Sequence, residues 1–208
     1  MDVSYEPVAD NQLAAVVTYL EMRQRPVTEA PPSQLSLRRV QQPFLDDYRR
    51  LFRLIGAPLL WFSRLIMDDL KLAAIIHHPQ VELYIVVSET GTEAGMLELD
   101  FREPGECELA FVGLVPELSG KGHGRWLLAE ALLLAWRDGV TRVHVHTCTL
   151  DHPAALPAYR RAGFTAYKRA VERFPDPRLL GILPLDCAPQ VPLLGTETSI
   201  DPPPDNCT

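Results

Sequence analysis

The stretch from Glu108 to Trp126, ELAFVGLVPELSGKGHGRW, constrains this chain more than any other part of it. A strand-patterned run passes through a turn holding Gly120, Gly122 and Gly124 and then enters a helix. A helix N-terminus exposes unpaired N–H groups and carries a partial positive charge, and glycines let the backbone close around a phosphate. The segment therefore has the makings of an anion site at a strand-to-helix turn. Two nucleotide signatures are excluded by spacing. A P-loop needs G-x-x-x-x-G-K-S/T, which is absent, and the dinucleotide pattern G-x-G-x-x-G fails because Arg125 and Leu127 stand where its last glycine would fall. A glycine-rich turn with no ligand is the alternative reading.

Hydrophobic periodicity sorts the rest of the chain into elements. Residues 1–34 hold one apolar segment, Leu13 to Met22, followed by breakers at Pro26, Pro31 and Pro32, which reads as an added strand or short helix and a linker. Leu35 to Gln42 alternates as a strand, and Phe44, Leu45, Tyr48, Leu51, Phe52 and Ile55 recur at helical spacing up to Gly56. A second helix is predicted over Phe62 to His77, ending before Pro79, with His77 and His78 at its end. The period then falls to two: Val81 to Ser88 and Ala94 to Phe101 flank Gly91 as a hairpin, and Glu106 to Leu114 makes a third strand. Arg125 to Asp138 is an apolar helix stopped by Gly139. Val140 to Cys148 is a strand, His152 to Ala162 a short helix and Phe164 to Phe174 a last strand. This order predicts an α/β fold with a mixed sheet and helices on its faces. After Pro175 the proline density rises, ending in Asp201 to Asp205, so the tail 175–208 is expected to be irregular and its end mobile.

Composition narrows the classes of partner. At 208 residues the chain fits one catalytic domain with some extra length. Its net charge of -7 opposes binding to a polyanion, so nucleic acid is not an expected partner. The N-terminus lacks a basic start and an apolar run, and stretches such as Ala131 to Trp136 are too short to span a bilayer, so no membrane is involved and a cytoplasmic location is expected. Cys107, Cys148, Cys187 and Cys207 are scattered and form no C-x-x-C pair, which predicts reduced thiols and no metal site.

Two spaced motifs resemble the GCN5-related N-acetyltransferase (GNAT) superfamily. Leu114-Val115-Pro116 followed by Ser119-Gly120-Lys121-Gly122-His123-Gly124 is similar to that family's V-x-P strand ending and Q/R-x-x-G-x-G/A turn. Downstream, His152 to Phe164 is similar to its N-x-x-A-x-x-x-Y-x-x-x-G-F segment. The resemblance covers about residues 35–174. It leaves 1–34 as an N-terminal extension and 175–208 as a tail, around a GNAT-like central twisted sheet flanked by helices. Two positions depart from the pattern, Ser119 for Gln or Arg and His152 for Asn.

The resemblance implies direct transfer of acetyl from acetyl-CoA to an amine. It further implies that the backbone of Ser119, Gly120, Lys121, Gly122, His123, Gly124 and Arg125 holds the coenzyme A pyrophosphate, with Lys121 adding charge. Leu114 and Val115 would pair with the pantetheine arm, and His152 and Tyr159 would lie beside it. Transfer needs a base, an oxyanion donor and a proton for the thiolate. Glu108 is the candidate base, against a solvated strand glutamate, with Glu98 and His146 as rivals. Tyr159 is the candidate acid, against a core aromatic, and the Val112 or Leu114 amide is a candidate oxyanion donor. His144 and His146 alternate on one strand and so share a face. Trp61, Phe62 and Tyr84 are candidate liners of a pocket for a small-molecule amine. A non-catalytic acyl-CoA sensor and a protein N-acetyltransferase are the competing readings. The N-terminal segment is expected to extend the sheet or to pair with a second copy as a homodimer.

Overall fold

A computed structural model describes residues 3–195, so Cys207 and the proline run of the tail lie outside the described residues. Among the described residues, seven strands and four α-helices follow in the order β1 (Gln12–Met22), β2 (Ser36–Val40), α1 (Leu45–Gly56), α2 (Asp69–Ile76), β3 (Val81–Val87), β4 (Glu93–Asp100), β5 (Glu106–Leu114), α3 (His123–Ala135), β6 (Arg142–Cys148), α4 (Ala155–Arg161) and β7 (Thr165–Pro175). The strands form one sheet ordered β2-β3-β4-β5-β6-β1-β7. Every neighbouring pair is antiparallel except β5 and β6, which run parallel and are joined through α3. The mixed sheet with helices on its faces is the architecture that the change of period predicts.

Alternation along β4 separates two cores. Leu97 and Leu99 face α3 and α4, packing with Leu109, Leu127, Ala131 and Val145, while Met96 faces the other way against Phe52, Ile55, Leu72 and Leu83 beneath α1 and α2. Helices α1 and α2 cover the β2-to-β5 half of their face. On the β6-β1-β7 half of that face, Tyr19, Glu21, His144 and His146 remain partly or fully exposed. No helix among the described residues is long and apolar enough to cross a membrane.

Three expectations change. The helix predicted over 62–77 forms only as α2, because the Asp68 side chain accepts the Lys71 N–H at 2.8 Å and caps a helix that begins at Asp69. Upstream, Leu60 adopts a left-handed conformation, and residues 60–68 form a loop held by the Trp61 N–H to Gly56 carbonyl bond. Phe62, Leu65 and Ile66 have helical spacing but diverge: Phe62 lines the neighbouring cavity, Leu65 packs against the apolar clusters around Leu60 and beneath α1, and Ile66 is exposed.

The second concerns β1: the N-terminal segment joins the sheet, one of its two expected outcomes, but inside it rather than at an edge, paired on both sides with β6 and with β7. The N-terminal segment therefore offers no free strand edge to a second copy; the outer strands are β2 and β7. The third concerns the tail. Residues 176–195 carry no helix or strand, as expected, yet they are folded down. Arg178 reaches Asp176 at 2.7 Å and the Val191 carbonyl at 2.9 Å, while Leu183 and Ala188 pack on Leu60.

Candidate active site

β5 and β6 pair only at Glu106–Arg142, Cys107–Val143 and Glu108–His144, and then diverge. From Leu109 to Leu114, β5 stays bonded to β4 on one side and faces an opening on the other. A bulge falls in the same stretch: Glu98 pairs with Phe111 and Leu99 with Leu109, leaving Ala110 as the extra residue. A cavity of about 450 Å3 occupies the gap, lined by Glu108 to Val112 from β5, Val145 to Cys148 from β6, and Asp151, His152 and Tyr159 beyond.

The glycine turn follows the end of β5. Gly120 and Gly122 have φ of +74° and +83°, a region that L side chains avoid, and Gly122 caps α3. The N–H groups of Gly120, Lys121, Gly122, His123 and Gly124 donate to no acceptor among the described residues. A Cβ built on Gly120, Gly122 or Gly124 meets nothing within 4 Å, so the face of these amides is open. Open, unpaired amides at a helix start are donors of the kind that a phosphate accepts from. The two departures from the family pattern touch each other here, with Ser119 Oγ 3.4 Å from His152 Nε2. His152 Nδ1 accepts the Ala154 N–H at 3.1 Å, which leaves Nε2 as the protonated nitrogen that donates to Ser119.

Val115 does not fit the contact with pantetheine. Its N–H bonds the Ala94 carbonyl at 2.9 Å and its own carbonyl accepts from Leu118, so its main chain is engaged internally. The free edge of β5 lies upstream, from Leu109 to Leu114.

Of the three candidate bases, the fold brings two together and buries the third. His146 Nδ1 lies 3.2 Å from Glu108 Oε1 on the cavity wall. The bond to His146 holds the Glu108 carboxyl below its usual range despite burial, and the same bond raises His146 above the ordinary imidazole value. With Nδ1–H committed to Glu108, His146 Nε2 is the free basic atom. Glu98 is fully buried, accepting the Tyr48 hydroxyl at 2.5 Å and Arg64 Nη2 at 2.6 Å. Those two bonds make it a structural anchor and remove it as a base. His144, whose pKa burial pushes down, lies 3.5 Å from Glu106.

Tyr159 lines the cavity with its ring edge-on to Phe164 at 5.8 Å. Burial, and then the charge of Asp151, push its phenol pKa up, so it keeps its proton. Trp61 and Phe62 line the cavity, whereas Tyr84 packs in the α3-side core with its hydroxyl on Glu82.

Asp151 and Glu172, unmarked in the sequence, also face the cavity. Asp151 accepts Trp61 Nε1 at 2.9 Å and the Thr147 hydroxyl at 2.7 Å, tying the loop 60–68 to the start of α4 across the opening. Gly56, read from sequence as a helix stop, also admits Trp61, whose Cβ lies 2.5 Å from where a Gly56 Cβ would stand.

A sequence profile of the acetyltransferase (GNAT) family matches residues 44–164, more than half of the chain. The chain belongs to the GNAT family. Part of this GNAT chain is 42% identical over 71 residues to the N-alpha-acetyltransferase RimI of Mycobacterium tuberculosis, a match spanning 34% of this chain and 42% of that protein. The fold resembles a GCN5-related N-acetyltransferase from Sphaerobacter thermophilus, with a TM-score of 0.54, 21% identity, and coverage of 78% of this chain and 52% of that one. It also resembles an aminoglycoside acetyltransferase from an uncultured soil metagenomic sample, solved with trehalose, with a TM-score of 0.52, 19% identity, and coverage of 67% and 93%. The mycobacterial and Sphaerobacter relatives are thus matched over only about half of their own length.

The residues of this GNAT chain fit coenzyme A at the level of donor chemistry: free amides from Gly120 to Gly124 for the pyrophosphate and an unpaired strand edge for an amide-bearing arm. Gly122→Val is expected to weaken acetyl-CoA binding about tenfold or more. A β-branched residue resists φ near +83° and sets methyl groups in front of the amides, and calorimetric titration measures the loss. Unchanged affinity would take the turn out of the cofactor site.

Proposed function

We propose that this GNAT chain transfers the acetyl group of acetyl-CoA directly to the amine of a small molecule. The observation that carries the reading is the opening between β5 and β6, with the Glu108–His146 pair and Tyr159 around one cavity and the free amides of the glycine turn beside it. Acetyl-CoA supplies an activated acyl group as a thioester. His146 Nε2 takes the proton of the acceptor ammonium, and Glu108 fixes the ring and stabilises the imidazolium. Glu108 thus acts through His146, and the base role moves from the carboxylate to the imidazole. The neutral amine then attacks the thioester carbonyl carbon, so that the C–N bond forms and the C–S bond breaks; Tyr159, which holds its proton, gives it to the departing thiolate and recovers one from the proton that the new amide nitrogen sheds. A main-chain N–H on the free edge of β5, at Val112 or Leu114, is the donor for the developing oxyanion.

The acceptor side favours a small molecule over a chain laid in an open groove. Phe62 from the loop and Phe174 from β7 meet at 4.9 Å, and Gln190 of the tail bonds the Pro58 carbonyl at 2.7 Å, so loop and tail are joined over that side. A protein N-terminus is the second reading, supported by the likeness to the mycobacterial N-alpha-acetyltransferase.

Tyr159→Phe separates an enzyme from an acyl-CoA sensor. It is expected to lower kcat about tenfold to a hundredfold while acetyl-CoA affinity changes by less than about threefold. Thiol release and calorimetry on the same variant read the two quantities. Equal turnover in the variant would remove Tyr159 as the acid, and absence of turnover in the parent protein with every amine would leave the sensor.

A further inference from the structure

We infer that the acceptor is a small organic cation: an amine with an apolar arm and no anionic group, its ammonium drawn by Glu172 and its arm lying on Phe62 and Phe174. The inference rests on the transfer reading above and narrows its acceptor.

Charge on the cavity wall points this way. The wall carries two guanidinium groups, and each is already paired: Arg64 with Glu98 at 2.6 Å and Arg102 with Asp100 at 2.6 Å. What remains is three carboxylates, Glu108, Asp151 and Glu172, against the imidazoles of His146 and His152. Asp151 is bonded by neutral donors only, Trp61, Thr147 and the Cys148 amide, so its charge is oriented but not cancelled. Glu172, exposed on β7 opposite Ala15 of β1, lines the cavity and has no ion-pair or hydrogen-bond partner among the described residues. His146 is raised first by its bond to Glu108, and also by Asp151 and Glu172. The nearby cation Lys168 sits over the Tyr19 ring at 4.9 Å and does not line the cavity.

Apolar surface frames this acidic wall. Phe174 lies two residues beyond Glu172, on the same face of β7, and packs against Phe62 on the cavity wall with ring centroids 4.9 Å apart. A cation in the cavity places its nitrogen among carboxylates and its body against the wall that the packed Phe62 and Phe174 rings form, whereas an acceptor bearing a carboxylate brings like charge to Glu172 and Asp151.

The test measures thiol release from acetyl-CoA by the full chain with phenethylamine, phenylalanine, ethanolamine and a short peptide with a free N-terminus. Phenethylamine is expected to exceed phenylalanine, which adds only the carboxylate, and ethanolamine, which lacks the arm, by about tenfold or more in kcat/KM. Glu172→Gln is expected to raise KM for phenethylamine about tenfold, the loss falling on KM rather than kcat. Phe62→Ala is expected to erode the preference for phenethylamine over ethanolamine. Retained acetyl-CoA affinity reports that each variant is folded. Equal or better turnover of phenylalanine or the peptide, or an unchanged KM in Glu172→Gln, would overturn the cationic acceptor and leave acetyl transfer standing. Thiol release with none of the amines would remove both.

Discussion

Replacing His146 with glutamine is expected to lower kcat about a hundredfold or more near neutral pH, with acetyl-CoA affinity changed by less than about threefold. The amine must lose its proton before it attacks, and His146 Nε2 is the basic atom of the Glu108–His146 pair left free to take it. Activity should therefore be lost as pH falls through the His146 pKa, which its bond to Glu108 sets above the ordinary imidazole value. Glu108→Gln gives the sign. Removing the carboxylate removes what raises His146, so the acid limb of kcat/KM moves to lower pH while kcat drops from loss of orientation. A limb that stays in place in Glu108→Gln would show that another group titrates. A glutamine at 146 with full activity would return the base role to Glu108 or to water.

Arg64→Ala is expected to cost about 3–5 kcal/mol of stability, because it leaves the Glu98 carboxylate buried without its cation. For a single domain of this length that corresponds to a fall in Tm of roughly 6–20 °C, read by thermal unfolding. Burial works against the charge of Arg64, and the adjacent Glu98 outweighs it and keeps the guanidinium charged. The Tyr48 phenol is pushed up first by burial and then by Glu98, so it remains a donor to that carboxylate. The Arg64→Met, Glu98→Leu double variant should recover most of the loss, since replacing both charges removes the unpaired one. An Arg64→Ala loss below about 1 kcal/mol would mean that water reaches Glu98 and that the triad does not anchor the loop. That loop also supplies Trp61 and Phe62 to the cavity, so the same variant is expected to raise KM for the acceptor.

The glycine turn and the strands around it are legible in sequence because their signals are local: period two, then glycines, then an apolar helix. Tyr159 is legible through its spacing to Gly163 and Phe164. The opening between β5 and β6 is not, since it depends on where pairing between distant strands stops, at Glu108 and His144. The two strand glutamates illustrate the same limit. Glu98 and Glu108 read alike along the chain, and only the tertiary structure buries one beside Arg64 and sets the other against His146.

Residues 60–68 have helical spacing and form a loop, because the aromatic partners of Trp61, namely Phe52 and Phe111, and its acceptor Asp151 come from elsewhere in the chain. The place of β1 between β6 and β7 is a matter of topology, on which the Leu13 to Met22 pattern is silent. Arg178, which pins the tail, looked like any charged residue after a proline.

Calorimetric titration of the full chain with acetyl-CoA, coenzyme A and NAD decides whether the opening beside β5 and the glycine turn hold coenzyme A. Saturable binding of both coenzyme A forms is expected, with none of NAD, and thiol release from the acetyl-CoA complex once an amine is added. Absence of binding by either coenzyme A form would contradict this, leaving the free amides of Gly120 to Gly124 as a feature of the turn alone.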